Sequence, residues 1–309
     1  MFGSMETPID IRDRETITHE DVLALNFIRN ASRYRFRGHF TEGLRSRIIQ
    51  LLDPEDVANE TKGIVTEGVR RYPLARPIKM LRIFRRPFNS LVDIEDEIVN
   101  YKIIQKYLPA AYFAASSEFI VHYEKPDGSE IVLCGLQEYV EGETLDPWNP
   151  DLIGAVKSTY SGWAPRDHQD PWAFAERKTH VLQQHAKAFI KYLKKMIRAS
   201  GRIPDLAGVG NLLFTRSATI HLVDINNIST IDHSNEIPID DKGYPACDKS
   251  IESLFLLERN LLGRPVDAQS DPYLLFLSPE RMQRVREIEK KFHASIANRG
   301  GYPLAGMFY

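Results

Sequence analysis

The sequence predicts an α+β protein of two lobes, a small, mostly antiparallel β N-lobe followed by a larger helical C-lobe. Three observations carry this expectation. Two apolar runs flank Pro126-Asp127-Gly128-Ser129 in "EFIVHYEKPDGSEIVLCGLQEYV", the pattern of a β-hairpin. After that hairpin, apolar residues recur at helical spacing, above all in "WAFAERKTHVLQQHAKAFIKYLKKMIRASG". Between the two lies the Gly-bearing turn "EGETL", so the change of pattern falls near residue 141. The expected segments are an N-terminal helical extension over 1–55, an N-lobe over 56–142 and a C-lobe over 143–309.

Taken in order, residues 1–16 read as loosely ordered, and "THEDVLALNFIRNASRY" opens a helical pattern with Thr18 at its N-cap. "TKGIVTEGVRRYPLARPIKMLRIFRR" reads as extended chain broken by Gly63, Gly68 and Pro77. In "NSLVDIEDEIVNYKIIQKYLP" the residues Leu91, Ile94, Ile98, Tyr101 and Ile104 keep a helical period until Pro109 closes it. The stretch from Trp148 to Trp172, with Trp163 inside it, is rich in Pro, Gly, Asp and Trp and reads as a packed loop or short-helix insertion. Val181, Leu182, His185, Phe189, Tyr192, Leu193 and Met196 then share one face of the longest helix, with Gly201 as its C-cap. His180 and His185 stand five apart and do not share a face well, so they read as surface or packed residues rather than a metal pair. "DKSIESLFLLERNLLG" is a further amphipathic helix, and "SPERMQRVREIEKKFHASIANRGG" another, opened by Ser278 and Pro279.

With 309 residues and 43% apolar content the chain can bury a sizeable core in one or two domains. A net charge of -2 gives no global pull towards nucleic acid or anionic membrane. The local basic cluster "RNASRYRFRGHF" reads as a solvated face. Cys134 and Cys247 form neither a CxxC motif nor a disulfide framework, which suits a reducing compartment. No apolar run is long enough for a membrane span, and "MFGSMETPIDIRDRE" is polar and acidic, unlike a signal peptide; the expectation is a cytoplasmic protein without integral membrane association.

The stretch that carries chemistry is "PDLAGVGNLLFTRSATIHLVDINN". Two short apolar strands, "NLLFT" and "IHLVD", joined by "RSAT", would bring Asn211 and Asp224 to adjacent ends. An amide oxygen beside a carboxylate suits a hard divalent cation such as Mg²⁺, which takes one or two protein oxygens and leaves the rest to water and phosphate. Asp205, just before them, is placed to accept a proton or orient a nucleophile.

This passage resembles the catalytic loop and metal loop of the protein-kinase-like superfamily, nearest in flavour to the aminoglycoside and choline phosphotransferases and the bacterial lipopolysaccharide-core kinases. The resemblance covers roughly residues 60–260 and implies ATP and Mg²⁺ as cofactors. It makes Asp205 the catalytic Asp and Asn211 and Asp224 the metal ligands, the separation of 13 residues between these two being that of the family. "CGLQEYVEGETL" is similar to the strand and hinge that meet an adenine ring, through backbone groups at Gln137, Glu138 and Tyr139. "PIKMLRIF" is similar to the strand of the phosphate-pairing Lys, implying Lys79 with Arg82 as rival, and the following helix implies Glu97 as its partner. "TKGIVTEGV" stands where the Gly-rich turn over the phosphates is expected. The departures are specific: five residues, "LAGVG" with Leu206 first, separate Asp205 from Asn211, one more than the pattern has; Ile203 replaces its His or Tyr; "DIN" replaces "DFG"; no "APE" follows. The implied activity is phosphoryl transfer to a hydroxyl of a small molecule or sugar. The alternative is a nucleotide-binding pseudokinase that acts as a regulatory or scaffold module with a protein partner.

Overall fold

The computed structural model describes residues 10–29, 31–39, 45–86, 88, 90–125, 128–240 and 242–298. They form an α+β protein that divides into two compact units, Met1–Ile98 with Ala115–Tyr139, and Val99–Ala114 with Val140–Tyr309.

The first unit opens with helix α1 (His19–Leu23), shorter than its sequence pattern. Its start is fixed by a capping box: Thr18 Oγ1 accepts from the Asp21 amide at 3.2 Å, and the Asp21 carboxylate accepts from the Thr18 amide at 2.8 Å. Strands β1 (Arg35–Gly38) and β2 (Ser46–Leu52) follow. Helix α2 (Pro54–Lys62) is capped by Asp53, begins on Pro54 and ends at Gly63 in positive φ. Strands β3 (Ile64–Thr66) and β4 (Val69–Arg71) make a ribbon of their own, and β5 (Pro77–Phe84), helix α3 (Leu91–Tyr107), β6 (Ser116–Lys125) and β7 (Gly128–Glu138) complete the unit. The main sheet is antiparallel throughout, in the order β1-β2-β5-β7-β6. The β6–β7 hairpin expected from sequence is present; Pro126 and Asp127 of its turn lie outside the described residues, as do residues 1–9.

The described part of residues 1–55 is therefore not a separate helical extension. It supplies two of the five strands, and β2, paired on both sides, buries Ile49, Leu51 and Leu52. The two faces of the sheet are distinct. Leu81 and Ile83 of β5 join Ile49, Leu51, Val132 and Cys134 in a core closed by Ile11, Ile17, Val22 and Leu25. Phe84 and Leu133 face the other way, against Phe88 and Ile94 of α3. On that second face Arg82 donates to Glu118 Oε1 at 2.7 Å, with side-chain exposures of 6% and 4%. Gly135 faces both across the ladder, and a Cβ there would stand 2.8 Å from the guanidinium and 2.7 Å from the carboxylate. The glycine leaves the room in which this buried pair is made.

The second unit continues α3 and a single 3-10 turn at Ala110–Tyr112 into β8 (Glu143–Thr144), α4 (Leu152–Gly162) and α5 (Pro171–Ser200). Helix α4 lies in the insertion that reads as loop or short helix, capped by Asp151. Helix α5 starts on the Asp170 cap with Pro171 and stops at Gly201 in the left-handed region. Strands β9 (Arg202–Pro204), β10 (Leu212–Phe214), β11 (Ile220–Leu222) and β12 (Ile228–Thr230) then build two small antiparallel sheets, β11-β10-β8 and β12-β9. Helices α6 (Ala246–Leu262), α7 (Tyr273–Phe276) and α8 (Pro279–Asn298) finish it. Leu182, Phe189, Leu193 and Met196 of α5 and Ile251, Leu254 and Leu257 of α6 are fully buried here. Among the described residues no helix is long and apolar enough to cross a membrane.

The Arg82–Glu118 pair yields a test. Glu118→Ala removes the carboxylate from a buried ion pair and is expected to cost about 3–5 kcal/mol in urea unfolding. The double replacement Arg82→Met with Glu118→Leu is expected to recover most of that loss, because it removes both charges at similar volume.

Candidate functional site

The site is built on the two small sheets of the second unit. Pairing of Ile228 with Pro204 places Asp205 just beyond the end of β9 and Asn227 just before β12. The Asp205 amide donates to the Asn227 carbonyl at 2.8 Å, and Asn227 Nδ2 donates to Asp205 Oδ2 at 3.0 Å. Oδ1 of the same carboxylate accepts from the Ala207 amide at 2.9 Å and from the Gly208 amide at 3.3 Å, with the Ser250 hydroxyl 3.5 Å away. Helix α6 pins the loop further: the Leu206 amide donates to Ser250 Oγ at 3.2 Å, and Ser253 Oγ donates to the Leu206 carbonyl at 2.8 Å.

Asn211 reaches back to the same residue, its Nδ2 donating to the Asp205 carbonyl at 3.0 Å. That contact fixes which end of the amide is engaged and leaves Oδ1 as its acceptor. Gly208 makes the approach possible, since a Cβ there would stand 2.5 Å from Asn211 Nδ2. The β10–β11 hairpin pairs Leu212 with Leu222, and the Val223 amide donates to the Asn211 carbonyl at 2.9 Å. The hairpin read from "NLLFT" and "IHLVD" is present, and it sets Asp224 one residue beyond Val223, the cross-strand neighbour of Asn211. Among the described residues, no hydrogen bond or ion pair reaches the half-buried Asp224 carboxylate.

Burial, and then the negative charge of Asp224, push Asp205 up to about 6, against the amides of Ala207 and Gly208 and the Asn227 side chain, which pull it down. The Asp224 carboxylate is thus close enough to oppose the ionisation of Asp205. A cation between them would relieve that opposition. Among the described residues no three of His, Cys, Asp and Glu gather as a metal cluster. One amide oxygen and one or two carboxylates are too few for an all-protein cage, but they suit Mg²⁺, which keeps water and takes phosphate oxygens.

The residues expected to hold nucleotide lie in the first unit, and the geometry corrects part of that expectation. Lys79 does not pair with Glu97. In β5 the residues two and four places on, Leu81 and Ile83, belong to the core opposite α3, whereas Phe84 faces α3. Strand alternation therefore turns the half-buried Lys79 away from that helix, with Leu51 and Glu138 as its cross-strand neighbours. Glu97, 7% exposed, is approached instead by Arg45 at 3.7 Å and Arg86 at 4.0 Å. Arg82, the rival cation, is committed to Glu118. Gln137 sits between Met80 and Ser116 in the ladder, and the Glu138 amide donates to the Ala115 carbonyl at 2.8 Å, so β7 reaches its first residue beyond the ladder at Tyr139. "TKGIVTEGV" is not a turn of the main sheet: Gly63 ends α2 and Gly68 turns the separate β3–β4 ribbon.

Sequence reasoning missed Asn227, Ser250 and Ser253. Asn227 had a signal in the "NN" after Asp224; the serines had none, because they look like ordinary small residues of an amphipathic helix. No family model matches the chain, and no curated protein matches it in sequence.

A titration checks the electrostatics. Carboxyl carbon NMR on the metal-free protein is expected to give Asp205 a midpoint near the value of about 6. In Asp224→Asn the midpoint is expected to fall towards the ordinary carboxylate range, since one of its two raising causes is gone.

Proposed function

We propose that the chain is an ATP- and Mg²⁺-dependent phosphotransferase acting on a hydroxyl of a small molecule or sugar. The observation that supports it most is the gathering of Asp205, Asn211 and Asp224 on one loop system, with Asn211 bonded to Asp205 and the charge of Asp224 felt at Asp205. The five-stranded antiparallel sheet agrees with the small N-lobe expected for such an enzyme. When bound, Mg²⁺ would neutralise phosphate charge and align the phosphoryl group. Asn211 Oδ1 and the Asp224 carboxylate would hold it as oxygen ligands. Asp205 would orient the acceptor hydroxyl and take its proton as the new oxygen–phosphorus bond forms and the bond to the leaving ADP breaks. A raised carboxyl pKa near neutrality serves that role, because the group accepts a proton readily while remaining largely ionised.

A second reading, a nucleotide-binding pseudokinase, is favoured by one observation. The Asp205 carboxylate already accepts from two backbone amides and from Asn227, the geometry of a side chain holding a turn. The residue inserted between Asp205 and Asn211 accompanies that turn.

Thermal unfolding with ATP, with Mg²⁺ and with both, followed by phosphate release, separates the readings. For the enzyme, ATP and Mg²⁺ together raise the melting temperature by several degrees, and Asp224→Ala removes the Mg²⁺-dependent part. Asp205→Asn keeps that shift and loses about 10²-fold or more in turnover. A shift without turnover, unchanged in Asp205→Asn, rejects the enzyme in favour of the pseudokinase. No nucleotide effect at all rejects both.

A further inference from the structure

The β3–β4 ribbon stands apart from the main sheet, and all six of its strand residues are exposed. An isolated two-stranded ribbon of this kind is marginally stable in water. It nevertheless carries exposed Ile64, Val65 and Val69, with Tyr72 exposed just after it. Lys62, Arg70, Arg71 and Arg76 accompany these against Glu67 alone, an excess of positive charge in a chain whose net charge is -2. Among the described residues no ion pair reaches Lys62, Arg70 or Arg71; the Arg70 guanidinium donates to the Lys62 carbonyl at the end of α2, which leaves its charge uncompensated.

The start of α3 has the opposite character. Leu91 and Val92 are exposed at 55% and 65%, Glu95 and Asp96 lie one turn on, and Val99 extends the same face. Asp93, Glu95 and Asp96 meet no cation along this helix before Lys102, and Glu97 is turned inward to Arg45. No ion pair among the described residues reaches Glu95 or Asp96. One patch is apolar and basic, the other apolar and acidic.

We propose that the β3–β4 ribbon of one copy of this chain docks on the exposed α3 face, Leu91 to Val99, of a second copy. A ribbon-to-ribbon dimer would set like charges against each other, whereas ribbon on α3 matches both sign and apolar content. The contact is heterologous, so wild-type protein builds short chains or rings rather than a closed two-fold dimer. Both patches are small and solvent-facing, so the association is weak and screened by salt.

The inference is independent of the proposed catalytic role, and sedimentation velocity tests it. Wild-type protein is expected to associate with rising concentration and to dissociate at high salt. Arg70→Glu/Arg71→Glu and Glu95→Arg/Asp96→Arg are each expected to be monomeric alone. Mixed one to one, they are expected to associate, because the intact ribbon of one meets the intact α3 face of the other, and the reversed ribbon meets the reversed face. All four changes in one chain restore association. Neutral replacements Arg70→Gln/Arg71→Gln, with thermal melts, guard against a folding defect and are expected to weaken association by about tenfold or more. A wild type that is monomeric up to its solubility limit, or a mixture that stays monomeric, overturns the proposal.

Discussion

The second unit hangs on one constraint: helix α6 carries five polar or charged side chains, Asp248, Lys249, Ser250, Ser253 and Glu258, that are all buried. A buried charge or hydroxyl costs several kcal/mol or more unless a partner is built for it, roughly in proportion to its polarity. Most of the partners come from other elements. Asp248 receives two bonds from Arg281 of α8, at 2.5 and 3.2 Å, and the same guanidinium holds the carbonyls of Ser234 and Glu236. Lys249 bridges Glu252 and Glu289 at 3.0 and 3.1 Å and lies 4.0 Å from the Trp148 ring centroid. Glu258 takes Lys194 of α5 at 2.5 Å, Tyr273 at 3.0 Å and Arg264. Burial raises the Glu258 pKa, yet these partners outweigh it and hold the carboxyl below its usual range. An amphipathic helix would need only an apolar stripe; this one also fixes its neighbours through polar contacts, which demand direction and not mere proximity.

The loop of Asp205 inherits that rigidity. Ser250 and Ser253 grip the amide and the carbonyl of one residue, Leu206, so the backbone after Asp205 has little freedom. Asn227 and Asn211 then hold the Asp205 carboxylate and carbonyl from positions just before β12 and β10. Asp224, by contrast, has no such partner among the described residues. The contrast is chemical. A carboxylate surrounded by donors is oriented, whereas one near a second acid and without a donor is not.

The parts of this arrangement that obey a local period were legible in the sequence. The α5 and α6 helices, the Gly201 cap, the β6–β7 hairpin and the short hairpin between Asn211 and Asp224 follow from spacing and turn chemistry. The first two strands were hidden because β1 is only four residues long and β2 lies in a stretch whose charges and apolar pairs fit helix or strand equally. The loop partners of Asp205 were hidden for another reason: Ser250 and Ser253 act across 45 residues or more, and no local pattern marks a hydroxyl that will meet a distant amide. The Asn that holds the Asp205 carboxylate could have been found, since a polar pair shortly after a buried strand and an acid needs partners.

The failure of the Lys79–Glu97 pair shows how a strand can defeat a motif read along the chain. Side chains alternate with a period of two, so the face of each β5 residue is fixed once Leu81 and Phe84 are assigned to opposite cores. Lys79 falls with Leu81, Arg82 with Phe84. The α3 side thus receives Arg82, and Gly135 gives it space to pair with Glu118. Glu97 takes its cations from chain flanking the strands, Arg45 before β2 and Arg86 after β5. A Lys–Glu clamp on nucleotide phosphates is therefore not built into this sheet. Any cation that pairs with an anionic ligand at this sheet has therefore to come from a place other than a Lys79–Glu97 pair.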